Sequence, residues 1–282
     1  MNAPTLLIAR FTFREAMRKQ MVLAVILLSA VLVGLYWYGF SSMRSNYDSR
    51  LAMGELPPFE FPVFANALVL MGFYTVNFLS GVMAIFASVG AIAAEVDAGT
   101  LHTILPKPIR RSEVVLGKWL GHALMLAVYV MLMCGSVLLV SYYVGDYLPP
   151  NPLQGSALVV LVSLVLLSLT ILGSTFFSSL TNGIVVFMLY GTALMGGVVE
   201  QIGDVLKNDT LTNIGVGAGL LIPSDTLWRL TSYLLQPEFS LQLGPTPFTA
   251  ITPPSTQMIV YSVAYGAAAL ALSTWVFSRR DL

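Results

Sequence analysis

The sequence predicts an all-α integral membrane protein with six transmembrane helices and both termini in the cytoplasm, and three observations predict it. Hydrophobic residues fill 56% of the 282 positions and the mean hydropathy is +0.80, well above the ~45–50% apolar content of soluble domains. Six apolar stretches are each long enough to cross hydrocarbon about 30 Å thick, which takes roughly 20 helical residues. Ten of the 14 Lys and Arg residues lie on one side of those stretches, and short loops rich in cations stay cytoplasmic.

The elements follow in order, all within one membrane domain, 1–282. Residues 1–19 read as an interfacial helix. Arg10, Arg14 and Arg18 recur every four positions as a basic stripe, and Leu7, Ile8, Phe11 and Phe13 supply an apolar side. Such a helix lies in the membrane plane with its arginines toward headgroups, and it can also touch a cytoplasmic partner. The first span, 20–40, ends in bulky Tyr36, Trp37 and Tyr38 rather than a small-residue cleavage site, so it reads as retained. The other spans are 63–95, 114–144, 156–180, 183–203 and 257–278. The second, at ~1.5 Å per residue, exceeds the hydrocarbon thickness and should tilt or project.

Between the spans, 96–113 forms a cytoplasmic elbow and 204–256 a proline-rich outer segment. In that outer segment Ser224 can cap a short helix with Asp225 in its first turn and Leu227, Leu230 and Leu234 on one side. It reads either as a helix lying on the outer leaflet or as a lid over an exit path. Small residues at spacing four on the second span, Ala84/Ser88 and Gly90/Ala94, allow close packing. Gly191, Gly196 and Gly197 on the fifth span mark a contact or a bend.

Several function classes are excluded. Net charge is zero, so nothing points to nucleic acid. Cys134 is the single cysteine, and His102 and His122 stand 20 residues apart, so neither a disulfide frame nor a helical zinc pair can form. No span carries an Asp, Glu, Lys or Arg near its middle, where ion-driven carriers usually place an ionisable side chain; Glu200 lies at the outer end of the fifth. His122, near the inner interface, reads as a hydrogen-bonded histidine. A phosphate loop is missing, because Ser112 stands where the first Gly before Gly117-Lys118 is required. Catalytic, cofactor-binding and metal residues are therefore expected to be absent. If the chain moves anything against a gradient, the energy must arrive through a partner.

The elbow region EVDAGTLHTILPKPIRRSEVVLGK, 95–118, holds Glu95, Asp97, Lys107, Arg110, Arg111, Glu113 and Lys118 in a chain that is 10% charged. Gly99 is a natural stop for the second helix, and Thr100 can cap a stub ended by Pro106 and Pro108. Leu101, Ile104 and Leu105 make one apolar ridge on that stub, and Ser112 can cap the third span. Two readings stand: an ordinary positive-inside loop, or a docking element for another protein. In the second, the ridge supplies affinity and the charges set register.

Those residues resemble the permease subunits of ABC-2 type ATP-binding-cassette transporters. The likeness rests on E-x-x-x-G-T-L (Glu95, Gly99, Thr100, Leu101), P-x-x-R (Pro108, Arg111), L-G-K (Leu116 to Lys118) and the terminal F-S-R-R-D-L (Phe277 to Leu282). In proportions the chain is most similar to the permease of nitrous-oxide reductase maturation and its bacterial relatives, from which its longer outer segment departs. The resemblance implies a bacterial inner-membrane exporter built as a homodimer over two ATPase subunits, which would hold the ATP and Mg. Accessory subunits and membrane lipids are further expected partners. It also implies that Glu95, Asp97, Gly99, Thr100, Leu101, Ile104, Leu105, Pro108, Arg110, Arg111 and Lys118 form or support the coupling helix, with Arg10 and Arg14 as second contacts. Asn66, Asn77 and Asn182 are candidates for lining a path, with interhelical hydrogen bonding as the alternative for each. Competing readings are a stand-alone secondary carrier and a membrane anchor or assembly platform.

Overall fold

A computed structural model describes residues 3–54, 61–94, 110–237, 255 and 257–279. Among the described residues there are nine helices and no strand. Six are long and apolar enough to cross a membrane: α2 (Gln20–Ala52), α3 (Phe61–Ser88), α4 (Arg111–Gly145), α5 (Pro152–Gly173), α6 (Ser179–Leu206) and α9 (Gln257–Arg279). The others are α1 (Ala3–Ala16), α7 (Asp209–Leu221) and α8 (Ser224–Leu235).

Side-chain ties establish which helix ends share a side. Lys19 Nζ, at the start of α2, donates to the Ala87 carbonyl at the end of α3. His122 of α4 contacts that same oxygen, and Arg111 at the start of α4 donates to the Phe277 carbonyl near the end of α9. At the opposite side Arg44 of α2 donates to the Gly145 carbonyl closing α4, and Tyr147 donates to Asn66 near the start of α3. The helices therefore run up and down, and the cations of α1, Lys19, Arg111, Lys118 and Arg279 gather at one end.

α3 and α5 are the most enclosed spans; α2 and α9 are the least. Leu70, Phe73 and Val76 of α3 meet Leu126 and Val130 of α4 and Val159, Val162 and Leu166 of α5 in the core. Lipid is as apolar as leucine, so close packing and interhelical hydrogen bonds must hold the bundle. Ser29 of α2 bonds Tyr129 of α4 at 2.7 Å, and the Trp119 indole of α4 donates to Ser168 of α5 at 2.9 Å. Other buried hydroxyls, such as Ser88 and Thr170, donate to carbonyls of their own helix, which satisfies them without water.

Several boundaries differ from expectation. α2 continues past 40 to Ala52, projecting a collar in which Phe40 and Tyr47 pack on Phe61. Arg44 stands 4.6 Å over the Phe61 ring. α3 ends at Ser88 rather than 95, with Ala93 and Ala94 helical again after a turn, and the expected stop at Gly99 lies outside the described residues. Side chains take up the carbonyls at and just past that end: Lys19 and His122 meet Ala87 O, and Asn182 Nδ2 donates to Val89 O at 2.9 Å. α4 begins at Arg111, ahead of the expected Ser112 cap, and the Arg110 backbone N–H donates to Glu113 Oε2 at 3.1 Å. α5 ends at Gly173, short of 180.

The outer segment holds two helices instead of one. Lys207 adopts a left-handed φ of 51° at the end of α6, and Asn208 Oδ1 then accepts from the Thr210 and Leu211 amides to start α7. α7 packs antiparallel on α6 because side chains are missing at the contact: a Cβ on Gly196 would strike Ala218, and one on Gly215 would strike Glu200. α8 has the expected range, but Pro223 precedes it and Ser224 lies inside, its hydroxyl buried without a partner. Nor does α8 lie on the surface. Leu227, Trp228, Leu230 and Leu235 are buried, the Trp228 ring meets Tyr74 of α3 edge-on, and Gly155 of α5 admits Leu235.

Candidate functional site

Of the expected coupling residues, Glu95, Asp97, Gly99, Thr100, Leu101, Ile104, Leu105 and Pro108 lie outside the described residues. The structure describes the two feet on which that elbow stands. One foot is the end of α3, where a single carbonyl oxygen, Ala87 O, lies 3.1 Å from Lys19 Nζ and 3.1 Å from His122 Nε2. His122 Nδ1 lies 2.9 Å from the Lys118 carbonyl. A neutral imidazole donates to one of these oxygens and an imidazolium to both. His122 is thus a buried structural tie between α3 and α4, as its position suggested.

The other foot is the start of α4. Arg110 is exposed and Arg111 half-buried, the latter donating to Phe277 O at 3.4 Å, while Glu113 and Lys118 are buried. α1 is clamped onto this foot. A Cβ on Gly117 would come within 2.7 Å of Ile8, and one on Gly121 within 2.6 Å of the Ala9 carbonyl. Two glycines four apart let the helix backbones touch, and Thr5 and Thr12 are buried in the contact. Arg10 and Arg14 sit on the opposite, exposed face of α1. The end of α3, the start of α4, α1 and the end of α9 therefore form one joined block.

The three asparagines behave differently from one another. Asn66 Oδ1 accepts from the Tyr147 hydroxyl at 3.0 Å. Asn182 Nδ2 donates to Val89 O and Thr170 O, both at 2.9 Å, and its amide fits against Gly173, which has no side chain to obstruct it. Both are interhelical ties. Asn77 is buried in α3 with neither amide atom partnered.

A second polar site was not anticipated from the sequence. Arg229 of α8 meets Glu200 of α6 through two parallel bonds, Nη1 to Oε1 at 2.6 Å and Nη2 to Oε2 at 2.8 Å. Its Nε lies 3.4 Å from Asp225 Oδ2, an ion-pair distance without hydrogen-bond alignment. All three residues are buried. Burial pushes the Asp225 carboxyl up to about 7; Arg229 pulls it down and Glu200 adds to the rise. The carboxyl packs against the bare Cα of Gly197, where no Cβ could fit. The i, i+4 spacing of Asp225 and Arg229 was a visible signal, but their link to Glu200 spans 29 residues.

A family profile described as ABC-2 family transporter protein matches residues 6–282. The chain belongs to the ABC-2 transporter family. Two relatives, from Pseudomonas aeruginosa and Stutzerimonas stutzeri, are each named "probable ABC transporter permease protein NosY". The first is 32% identical over 133 residues, 47% of this chain and 43% of the relative. The second is 32% identical over 126 residues, 44% and 41%. The matched stretches thus span less than half of those relatives' length. As an ABC-2 permease with six apolar helices, the chain is a multi-pass protein of the bacterial inner membrane.

Proposed function

We propose that the chain is the membrane subunit of an ATP-driven exporter, working as a homodimer above two copies of a separate ATPase. ABC-2 family membership across residues 6–282 carries the reading. In this proposal the 95–109 stretch docks into the ATPase through Leu101, Ile104 and Leu105, and Glu95, Asp97, Gly99, Thr100, Pro108, Arg110, Arg111 and Lys118 shape or flank the plug. Arg10 is a second contact. ATP and Mg are bound by the partner. The joined block at the inner ends of α1, α3, α4 and α9 supports the mechanism, because a push on the elbow reaches both of its feet at once. α3 and α4 then carry the motion toward α8 and the outer ends.

Asn77, buried with an unpartnered amide in α3, is the candidate to face a path when the bundle opens. Affinity isolation of the tagged chain from its native membranes tests the proposal. Co-isolation of an ABC ATPase whose hydrolysis rises on reconstitution with the chain is expected. Transport by the chain alone under an ion gradient, with no ATPase present, would contradict it.

A further inference from the structure

The corner between α1 and α2 is a polar notch at the membrane surface. The α1 helix ends at Ala16, Lys19 turns the chain with an extended backbone (φ −66°, ψ 132°), and α2 enters apolar sequence at Met21. That order places residues 14–19 at headgroup depth, since hydrocarbon begins where the continuous apolar run begins. Phe11, Arg14, Glu15, Arg18 and Lys19 line a shallow concavity of about 560 Å³ there.

Two features mark this notch as a binding site. Arg14 and Arg18 are exposed and, among the described residues, make no ion pair or side-chain hydrogen bond, so both guanidinium forks are available. Lys19 is already committed to Ala87 O and contributes fixed charge rather than a free donor. Arg14 and Arg18 outnumber the Glu15 carboxylate at the notch. The second feature is the apolar strip on the same face of α1: Leu7, Phe11 and Arg14 fall at i, i+4 and i+7, with Leu7 and Phe11 exposed, and Arg18 follows in the turn just past the helix. An anionic head beside an apolar tail matches this order of side chains.

We infer that the α1–α2 corner binds the phosphodiester headgroup of one anionic phospholipid, held by Arg14 and Arg18 with its acyl chains along Phe11 and Leu7. Because Lys19 bolts the same corner to the end of α3, bound lipid would brace a foot of the elbow. The assignment rests on the corner alone and stands whether or not the proposed ATPase docking does.

Native mass spectrometry of the full-length, delipidated protein titrated with phosphatidylglycerol or phosphatidylcholine tests it. One saturable phosphatidylglycerol per chain is expected, bound in preference to phosphatidylcholine and not displaced by inorganic phosphate. Arg14→Ala with Arg18→Ala should weaken it roughly ten- to thirtyfold, and Glu15→Gln should strengthen it. Equal binding of the two lipids, displacement by inorganic phosphate, or unchanged binding in the arginine variant would each overturn the inference. If the arginine variant does not fold, the Glu15→Gln comparison decides, and no gain in affinity counts against the site.

Discussion

Arg229 has two carboxylates and little water, and this makes it the most consequential side chain of the outer half. Truncating it to Ala leaves Glu200 and Asp225 facing each other inside the protein. Breaking a buried pair from one side costs about 3–5 kcal/mol, whereas replacing both partners with apolar groups of similar volume is often neutral. Thermal unfolding in detergent should therefore show Arg229→Ala far less stable than Glu200→Leu with Arg229→Met. Asp225 adds a pH dependence. Its folded carboxyl titrates at about 7 against an ordinary 3.8, so the folded state holds the extra proton between those values. Stability from this group is full below pH 3.8 and is lost as pH rises through about 7. The difference in melting temperature between wild type and Asp225→Asn, followed from pH 5 to 8, should shift steadily in the variant's favour. Asn182→Ala removes the buried bond from α6 to Thr170 of α5 and the part-buried one to Val89 just past α3, and should cost about 1–3 kcal/mol, read by the same unfolding assay.

At the scale of elements, what held the sequence reading together was length and hydropathy, which identify all six spans. What escaped it was where they stop. Carbonyls at and just past the helix ends are taken up by distant side chains, Ala87 O by Lys19 and His122, Val89 O by Asn182 and Gly145 O by Arg44, while α4 itself closes on the left-handed Asp146. Such partners are invisible in a local window. α7 escaped for a related reason: its glycines at 215, 217 and 219 give little helical signal, and its seat depends on Gly196 of α6 meeting Ala218 and on Gly215 meeting Glu200 of α6. The α1–α4 clamp belongs to this scale too. Gly117→Leu or Gly121→Leu would force α1 off α4, at about 1–3 kcal/mol for overpacking a tight contact. Proteolysis of α1 in folded protein should then rise sharply over wild type.

The whole molecule couples two polar regions through an apolar body. At one end the start of α4, α1 and the close of α9 are tied together; at the other α8 is packed into the bundle and locked to α6 by Glu200 and Arg229, while α7 lies along α6 with most of its residues exposed. The cation asymmetry in the sequence agrees with the side-chain ties that bring α1, Lys19, Arg111 and Arg279 to one end. The elbow is proposed from punctuation and charge, since Gly, Pro and capping residues act locally, and residues 95–109 lie outside the described residues. The buried triad was not, since its meaning depends on a fold that brings residues 200 and 229 together. The central claim is that this body is driven from outside the chain, through the stub between α3 and α4. It is tested most directly by the ATP hydrolysis rate of the co-isolated ATPase reconstituted with wild type or with Leu101→Glu plus Ile104→Glu. The account predicts that stimulation disappears in the double variant while its melting temperature is kept; stimulation equal to wild type in that folded variant would contradict it.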